Sequence, residues 1–306
     1  MGFLQSVIVS ARPRQWLKNL AIFAAPFFGG ELLDVGVIPR FLLAFAVFSL
    51  LSSAAYILND VADRAKDRQH PSKKHRPIAS GKLSIPLALA IAALMTAGTL
   101  VFTAANFNRY FLGTAFIFIL LQLTYSLWLR NVIIIDALWV GMAFVLRVYA
   151  GAFVLPTPIS SWLILATIGL SLLLAFGKRR SERTLLSKLH RRLLTRETLR
   201  HYPDALLDST IAMSAAYTTL AYSIFAFQTS PTGGAFFTDF LPKTLTSPKW
   251  SLITVPLVIY GVARYLYIIY EKKEGESPEK VILNDLPLLG VVLLWGLTSF
   301  VIFYVL

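Results

Sequence analysis

Four acidic or amide side chains recur at helical spacing in the segment NDVADRAKD, at Asn59, Asp60, Asp63 and Asp67. In a helix, Asn59, Asp63 and Asp67 lie one above another, and Asp60 joins the same face. Carboxylates this close repel one another unless a cation lies between them. Mg²⁺ suits such a cluster because it takes oxygens from one or two carboxylates and completes its shell with water and phosphate. The spacing therefore predicts a Mg²⁺–diphosphate site in which all four residues are candidate metal ligands and the three aspartates are candidate catalytic residues.

Cationic side chains follow the acidic cluster at loop distance. Lys73 and Arg76 are placed to bind the phosphate oxygens that a metal leaves free. The alternative is a solvated loop whose mixed charges pair with one another. We favour the metal–diphosphate interpretation because the acids begin at the end of an apolar segment, where ionisable groups are costly and usually functional.

A second cationic segment, GKRRSER, contains the candidate substrate-binding residues Lys178, Arg179 and Glu182. It begins directly at the end of another apolar segment. Cations at such a position contact phosphate without a metal. The segment therefore predicts a second phosphate-binding region that is mainly cationic.

Three further residues are candidates for substrate binding, each with a structural alternative. Arg14 and Lys18 precede the first apolar segment and either bind phosphate or mark the cytoplasmic side of the membrane. Tyr125 lies near the end of an apolar segment. It either lines the substrate cavity or belongs to an interfacial aromatic belt.

The elements that must position these residues are membrane-spanning helices. Of 306 residues, 56% are hydrophobic and 15% charged, and the mean hydropathy is +0.65. A soluble domain has about 25% charged residues, and apolar runs of about 17–25 residues cross a bilayer. The sequence therefore predicts one domain, an all-α polytopic membrane bundle of nine transmembrane helices. The predicted spans are residues 20–33, 41–58, 84–104, 109–128, 132–155, 161–177, 207–229, 250–270 and 286–306.

The distribution of positive charge predicts the orientation of the bundle. Most of the 29 Lys and Arg residues fall in the N-terminal segment and in alternate loops, which the positive-inside rule places in the cytoplasm. We expect a location in the plasma (inner) membrane, with the N-terminus and the catalytic loops, at about 59–83 and 178–206, on the cytoplasmic side. The net charge of +13 is then mostly topological. It predicts contact with anionic membrane lipids and no nucleic-acid partner.

The acidic pattern N-D-x-x-D-x-x-x-D at the end of the second predicted span resembles the UbiA superfamily of intramembrane prenyltransferases. The nine predicted spans, which extend over the whole chain, agree with this resemblance. It implies a Mg²⁺-bound diphosphate and the transfer of a prenyl group, usually to an aromatic ring. Members typically carry a second motif, D-x-x-x-D, after span six. Here that place holds the cationic segment 177–182, so a second carboxylate-held metal is not expected.

This departure matches one branch of the superfamily. Four patterns resemble the decaprenyl-phosphate phosphoribosyltransferase branch: RPRQWLKN at 12–19, H-P-x-K-x-x-R-P-I-A-S-G at 70–81, G-K-R-x-x-E at 177–182, and GESPE at 275–279 followed by Asp285. The resemblance implies transfer of 5-phosphoribose from phosphoribosyl diphosphate to a polyprenyl phosphate, a step toward cell-wall arabinan. It implies that the acidic cluster holds Mg²⁺ and that five cations stabilise phosphate charge: Lys18, Lys73, Arg76, Lys178 and Arg179.

Two other functions are weighed against this one. A UbiA-type prenyl transfer to an aromatic or other small acceptor stays open, although the cationic segment 177–182 argues against it. A transporter is disfavoured, because transporters place polar groups at the bilayer midplane and this chain keeps its charges near one interface. The sequence leaves the oligomeric state open, including a homo-oligomer.

Overall fold

A computed structural model describes residues 2–70, 73–155, 158–189, 202–231, 249–272 and 278–305. Parts of the predicted catalytic loops, residues 71–72 and 190–201, lie outside this range, as do residues 273–277, which include the first three residues of the GESPE segment. The described chain is helical. Its α-helices are α1 Phe3–Ala11, α2 Ala24–Phe28, α3 Ile38–Ala62, α4 Arg64–Gln69, α5 Pro77–Ser80, α6 Ile85–Asn106, α7 Arg109–Leu127, α8 Ile135–Val154, α9 Ser161–Leu189, α10 Asp204–Thr229, α11 Val255–Tyr267, α12 Pro278–Asn284 and α13 Leu286–Tyr304.

Eight helical segments of the described chain are long and apolar enough to cross a membrane. They confirm the predicted all-α polytopic fold and correspond to eight of the nine predicted spans. The segments are Ile38–Ala62, Ile85–Asn106, Arg109–Leu127, Ile135–Val154, Ser161–Thr184, Asp204–Thr229, Trp250–Lys272 and Leu286–Tyr304.

The first predicted span, residues 20–33, differs from the structure. Instead of one α-helix, a 3₁₀ helix runs over Pro13–Phe23 and continues into the short α2, which ends at Gly29 and Gly30. Gly30 has a φ of 75°, a conformation that terminates the helix. A 3₁₀ run of 11 residues is long, since most have three or four. It extends roughly 22 Å because the rise is about 2.0 Å per residue.

The chain divides into two compact units, of which the first runs to Pro158 and the second begins at Ile159. In the first unit, Phe48 on α3 packs against Phe111 and Phe118 on α7, with ring centroids 5.8 and 5.0 Å apart. Ala88 and Ala92 on α6 are fully buried beside α3. Small residues let membrane helices approach closely, so this part of the unit is held by packing rather than by water exclusion.

The second unit is built around the pair α9 and α10. A Cβ at Gly169 of α9 would lie 2.7 Å from the Thr218 Oγ1 and 2.9 Å from the Thr218 Cα. The two helices therefore touch through backbone at this point. The Tyr222 hydroxyl on α10 lies 2.7 Å from the Thr254 hydroxyl and accepts from the Trp295 Nε1 at 2.7 Å, which links α10 to α13.

Gly151→Ala is expected to destabilise the first unit. A Cβ at Gly151 of α8 would lie 1.9 Å from the backbone oxygen of Ile22, so the 3₁₀ helix would have to move away. Overpacking of this kind costs about 1–3 kcal/mol, and thermal unfolding in detergent would show the lower Tm. The matched control is Gly98→Ala in α6, where no atom lies within 4 Å of the added Cβ. An equal Tm for both variants would contradict the close approach.

Candidate active site

The acidic motif spans the junction between α3 and α4. Asp60 lies in the last turn of α3, Asp63 follows its end, and Asp67 lies in α4. The backbone nitrogen of Asp63 donates to the Asn59 oxygen at 2.9 Å, and that of Asp67 donates to the Asp63 oxygen at 2.8 Å. Helical hydrogen bonding thus continues through the junction and keeps the predicted spacing of one turn.

Arg12 and Arg76 bind the two buried aspartates of the motif. Arg76 Nη1 lies 3.1 Å from the Asp60 Oδ1 and 2.7 Å from the Asp67 Oδ2. Arg12 forms a further ion pair with Asp60 and places its guanidinium 5.1 Å from the centre of the Tyr56 ring. Asp60 and Asp67 are 2% and 4% exposed, so both carboxylates depend on these cations for charge compensation.

Arg130 binds the other two residues of the motif. It lies on a 3₁₀ turn, Leu129–Asn131, that follows α7. Its Nη1 is 2.6 Å from the Asp63 Oδ1 and donates to the Asn59 Oδ1 at 3.2 Å. Four residues later Ile134 has a φ of 69°, which is strained for a β-branched side chain. The turn therefore holds Arg130 at some conformational cost.

Arg12 and Arg130 are candidate site residues that the sequence did not predict. Each had a signal. Arg12 belongs to the RPRQWLKN segment that carried part of the resemblance, and Arg130 is a cation just beyond the end of a span, as Lys178 is. Their partners stand 48 and 71 residues away along the chain, so no local pattern connects them.

The segment after Arg12 is fastened to α3 by polar contacts. Arg12 itself has a φ of 52° and turns the chain between α1 and the 3₁₀ helix. The Trp16 Nε1 donates to the Ser53 hydroxyl at 3.0 Å, and Asn19 donates to the Ser49 hydroxyl at 3.1 Å. The Ser53 hydroxyl in turn lies 3.0 Å from the Ala11 oxygen. Hydrogen bonds between membrane helices fix this segment in one register.

A buried arginine supports the same segment from α8. The Arg147 Nε donates to the Asn19 Oδ1 at 2.7 Å, and its Nη1 donates to the Ala143 oxygen at 2.7 Å. The guanidinium lies 4.7 and 5.4 Å from the ring centres of Phe118 and Phe144. Amide, carbonyl and aromatic partners thus solvate a charge that is 3% exposed.

The remaining predicted residues of the first unit differ in their exposure. Arg14 and Lys73 are exposed, and Lys18 and Tyr125 are half-buried. Next to Lys73, partial burial and the lysine charge lower the pKa of the His70 imidazole below its ordinary value. The His70 Nδ1 accepts from the backbone nitrogen of Lys73 at 3.3 Å, as a neutral imidazole does.

In the second unit, the cationic segment forms its own ion pairs. Glu182 accepts from the Arg179 Nη1 at 2.8 Å and lies 4.0 Å from the Lys178 Nζ. Arg179 is 3% exposed, whereas Lys178 is half-buried, with 38% of its side chain exposed. Because one carboxylate faces two cations, the group keeps a net positive charge. It suits an anion better than a metal ion.

Two further arginines of this segment were not singled out by the sequence. The Arg180 Nε lies 2.8 Å from the Asp208 Oδ1, and the Arg183 Nε lies 2.7 Å from the Asp204 Oδ1. Both aspartates begin α10, so these pairs join the end of α9 to the start of α10. The Tyr270 hydroxyl donates to Asp208 at 3.0 Å. We read these contacts as the support that holds Lys178 and Arg179 in place.

Asp285 anchors the start of α13. It is 6% exposed and accepts from the Arg264 Nε and Nη2, both at 3.0 Å, and from the Lys272 Nζ at 2.6 Å. It also caps α13 by accepting from the Leu288 backbone nitrogen at 3.0 Å. The hydrogen bonds from Arg264, followed by those from Lys272 and Leu288, hold the pKa of the Asp285 carboxyl well below its ordinary value.

Asp285→Asn is therefore expected to lower stability at neutral pH. Asn caps a helix about as well as Asp, so the expected loss of about 1 kcal/mol comes from Arg264 and Lys272, which lose their counter-ion. Because the pKa is lowered on folding, the stabilisation is complete above the ordinary value of about 3.9 and declines as the pH falls below it. Thermal unfolding between pH 3 and pH 8 would show a lower Tm for the variant than for wild type, and this difference in Tm would become smaller only at the acid end. Glu271→Gln, an exposed neighbour, is the control and should match wild type at every pH.

The donor set of the acidic motif fits Mg²⁺ in chemistry. Three carboxylates and one amide oxygen are hard ligands of the kind that Mg²⁺ takes. The predicted four ligands lie in two pairs, Asp60 with Asp67 at Arg76 and Asn59 with Asp63 at Arg130. Within the described residues no three acidic or histidine side chains converge on one point. However, two carboxylates already share one cationic nitrogen, and Mg²⁺ needs only one or two.

Comparison with known proteins decides the family. Residues 21–184, more than half of the chain, match the UbiA prenyltransferase family. The chain belongs to the UbiA prenyltransferase family. It is 30% identical over 298 residues to a decaprenyl-phosphate phosphoribosyltransferase of Mycolicibacterium smegmatis, covering 96% of this chain and 91% of that protein. A relative of the same name from Mycobacterium tuberculosis is also 30% identical and is covered to 93%.

The fold agrees with this assignment. A UbiA homologue from Archaeoglobus fulgidus, solved bound to GPP and Mg²⁺, superposes with a TM-score of 0.69 at 19% identity, covering 97% of this chain and 99% of that one. The predicted resemblance to UbiA proteins, and to the phosphoribosyltransferase branch, is confirmed. With its eight apolar spans, this UbiA protein is a multi-pass, membrane-embedded transferase.

Proposed function

We propose that this UbiA protein transfers 5-phosphoribose from phosphoribosyl diphosphate to a polyprenyl phosphate, with Mg²⁺, and releases diphosphate. The observation that carries the proposal is the group in which one carboxylate, Glu182, faces two cations, Lys178 and Arg179. A sugar donor with a diphosphate and a separate 5-phosphate calls for one acidic, metal-binding site and one cationic site. Relatives named decaprenyl-phosphate phosphoribosyltransferase support it along almost the whole chain.

In the reaction, the bond between the anomeric carbon and the diphosphate oxygen breaks, and an oxygen of the lipid phosphate forms the new bond to that carbon. The nucleophile is already an anion, so it needs no general base. Asp60, Asp63 and Asp67, with the Asn59 amide oxygen, would hold Mg²⁺, which when bound would supply positive charge for the departing diphosphate.

The protein's cations stabilise the remaining phosphate charge. Arg76 and Arg130 are held within hydrogen-bonding distance of the motif and are suited to bidentate contacts with diphosphate oxygens. Arg14, Lys18 and Lys73 are proposed to add positive charge for the phosphates of the substrates. We assign Lys178 and Arg179 to phosphate binding and Tyr125 to the sugar or phosphate.

The test is product analysis with purified protein in detergent. It is supplied with Mg²⁺, phosphoribosyl diphosphate and a polyprenyl phosphate, and the lipid is analysed by mass. A product heavier by one phosphoribosyl unit, absent with EDTA, supports the proposal. No such product, together with turnover of a prenyl diphosphate and an aromatic acceptor, would replace it with prenyl transfer.

We also propose that the protein lies in the plasma membrane, with its N-terminus and both catalytic loops on the cytoplasmic side. The chain has no cysteine, so a thiol reagent labels only a cysteine that is introduced, and the labelling shows on which side of the membrane that position lies. Lys74→Cys should react with an impermeant thiol reagent only from the inner side, and Asp34→Cys only from the outer side. The reverse pattern would invert the proposed topology.

A further inference from the structure

Helix α1 presents apolar side chains outward and small polar side chains inward. Its exposed large residues, with their exposed fractions, are Phe3 54%, Leu4 74%, Ile8 58% and Val9 43%. Ser6 and Ser10 face the protein and are each 1% exposed. Their hydroxyls donate to the backbone oxygens of Gly2 and Ser6 at 3.1 and 2.9 Å. Because the serines satisfy their own hydrogen bonds, the inward face can pack closely without further polar partners.

This polarity is the reverse of that of a helix on a water-soluble surface, which buries its apolar stripe. The outward face of α1 suits a hydrocarbon medium. The helix FLQSVIVSA carries no charged residue, and its nine residues extend only about 14 Å, too short to cross a bilayer. A helix of this kind lies along the membrane interface with its apolar face among the acyl chains.

The surroundings of α1 favour lipid over other occupants. It packs against α3, which crosses the membrane, so its outward face continues a surface that already meets acyl chains. Beyond Arg12, Leu17 and Leu20 are 48% and 51% exposed and extend the apolar surface along the 3₁₀ helix. Arg14, exposed and one turn before Leu17, is suited to anionic headgroups.

We propose that α1 is an interfacial helix whose outward face inserts among the acyl chains of one bilayer leaflet. The bilayer thereby holds a helix that ends one residue before Arg12. Since Arg12 pairs with Asp60, lipid contact at α1 positions a cation of the acidic motif. The second inward contact of α1, with α5, lies in the segment that also carries Arg76.

The experiment uses the absence of native cysteine and requires no substrate. Leu4→Cys and Ile8→Cys are labelled with an environment-sensitive fluorophore in the full chain, reconstituted in phospholipid nanodiscs. Quenching is measured with iodide in the water and, separately, with lipids brominated on the acyl chain. Leu94→Cys on α6, 75% exposed, is the lipid-facing reference, and Lys74→Cys in an exposed polar turn is the water-facing reference.

The proposal expects bromolipid quenching at positions 4 and 8 close to that at 94, with iodide quenching several-fold weaker than at 74. Iodide quenching equal to that at position 74, without bromolipid quenching, would place α1 in water and overturn the proposal. Protection from both quenchers would also overturn it, because the face would then be covered by protein, such as a second copy of this chain.

Discussion

Asp63→Ala is expected to abolish Mg²⁺-dependent phosphoribosyl transfer while the protein stays folded. Asp63 offers the more accessible carboxylate of the motif, with 19% of its side chain exposed against 3% and 5% for Asp60 and Asp67. In the proposed mechanism its loss would remove a metal ligand. Because a metal ion supplies several kcal/mol of charge stabilisation, kcat/KM should fall by about 100-fold or more. Arg130 keeps the Asn59 oxygen at 3.2 Å as a partner, so the fold should tolerate the change.

The measurement is product formation over a range of Mg²⁺ concentrations, with the Tm in detergent as a check on folding. Asp34→Ala is the matched control, since Asp34 is an exposed aspartate whose carboxylate accepts only from the Gly36 backbone among its described contacts. Turnover at the wild-type rate in a folded Asp63→Ala protein would remove Asp63 from the metal site.

Arg76→Gln is expected to change metal binding and diphosphate binding in opposite directions. In the structure, Arg76 neutralises Asp60 and Asp67, so Mg²⁺ must displace it from those oxygens. Without the guanidinium, the two carboxylates should bind Mg²⁺ more tightly. The diphosphate loses charge-assisted hydrogen bonds of about 1.5–3 kcal/mol, so its KM should rise roughly tenfold to a hundredfold.

Two measurements separate these effects. Without substrate, Mg²⁺ should raise the Tm of Arg76→Gln more than that of wild type, because a ligand that binds more tightly stabilises the folded state more at the same concentration. Steady-state kinetics should show the higher KM for phosphoribosyl diphosphate. Lys74→Gln removes one positive charge from the same loop at an exposed position and should leave both quantities unchanged. If Arg76→Gln weakens the binding of both Mg²⁺ and phosphoribosyl diphosphate, Arg76 only supports the loop and does not compete with the metal.

The arginine pairs give both experiments a common physical basis. Three arginines, Arg12, Arg76 and Arg130, lie against the acidic motif and balance its three carboxylates. Diphosphate brings its own negative charge, so arginines that a metal displaced would find new partners on the substrate. We expect metal and diphosphate to bind most strongly together, because each compensates the charge that the other displaces.

The amino-acid sequence determined the features that depend on local pattern. Apolar runs are long enough to identify a membrane helix without knowledge of its neighbours, and eight of the nine predicted spans correspond to observed ones. The acidic motif was recognisable for the same reason, since helical spacing alone aligns Asn59, Asp63 and Asp67. The predicted span at residues 20–33 differs from the structure. Apolar composition suggested one α-helix there, and the chain instead forms a 3₁₀ helix and a short α-helix.

Only the tertiary structure decided which cations meet the acids. Arg12, Arg76 and Arg130 come from three segments, and their pairing depends on where α1 and α7 end and where α5 begins beside α3. The close approach of Gly151 to Ile22 and the hydrogen bond from Arg147 to Asn19 hold the segment that follows Arg12. A sequence records the charge of each arginine. The carboxylate with which each arginine pairs is determined by the packing of residues dozens of positions away. Local spacing in the sequence does not predict such long-range pairs.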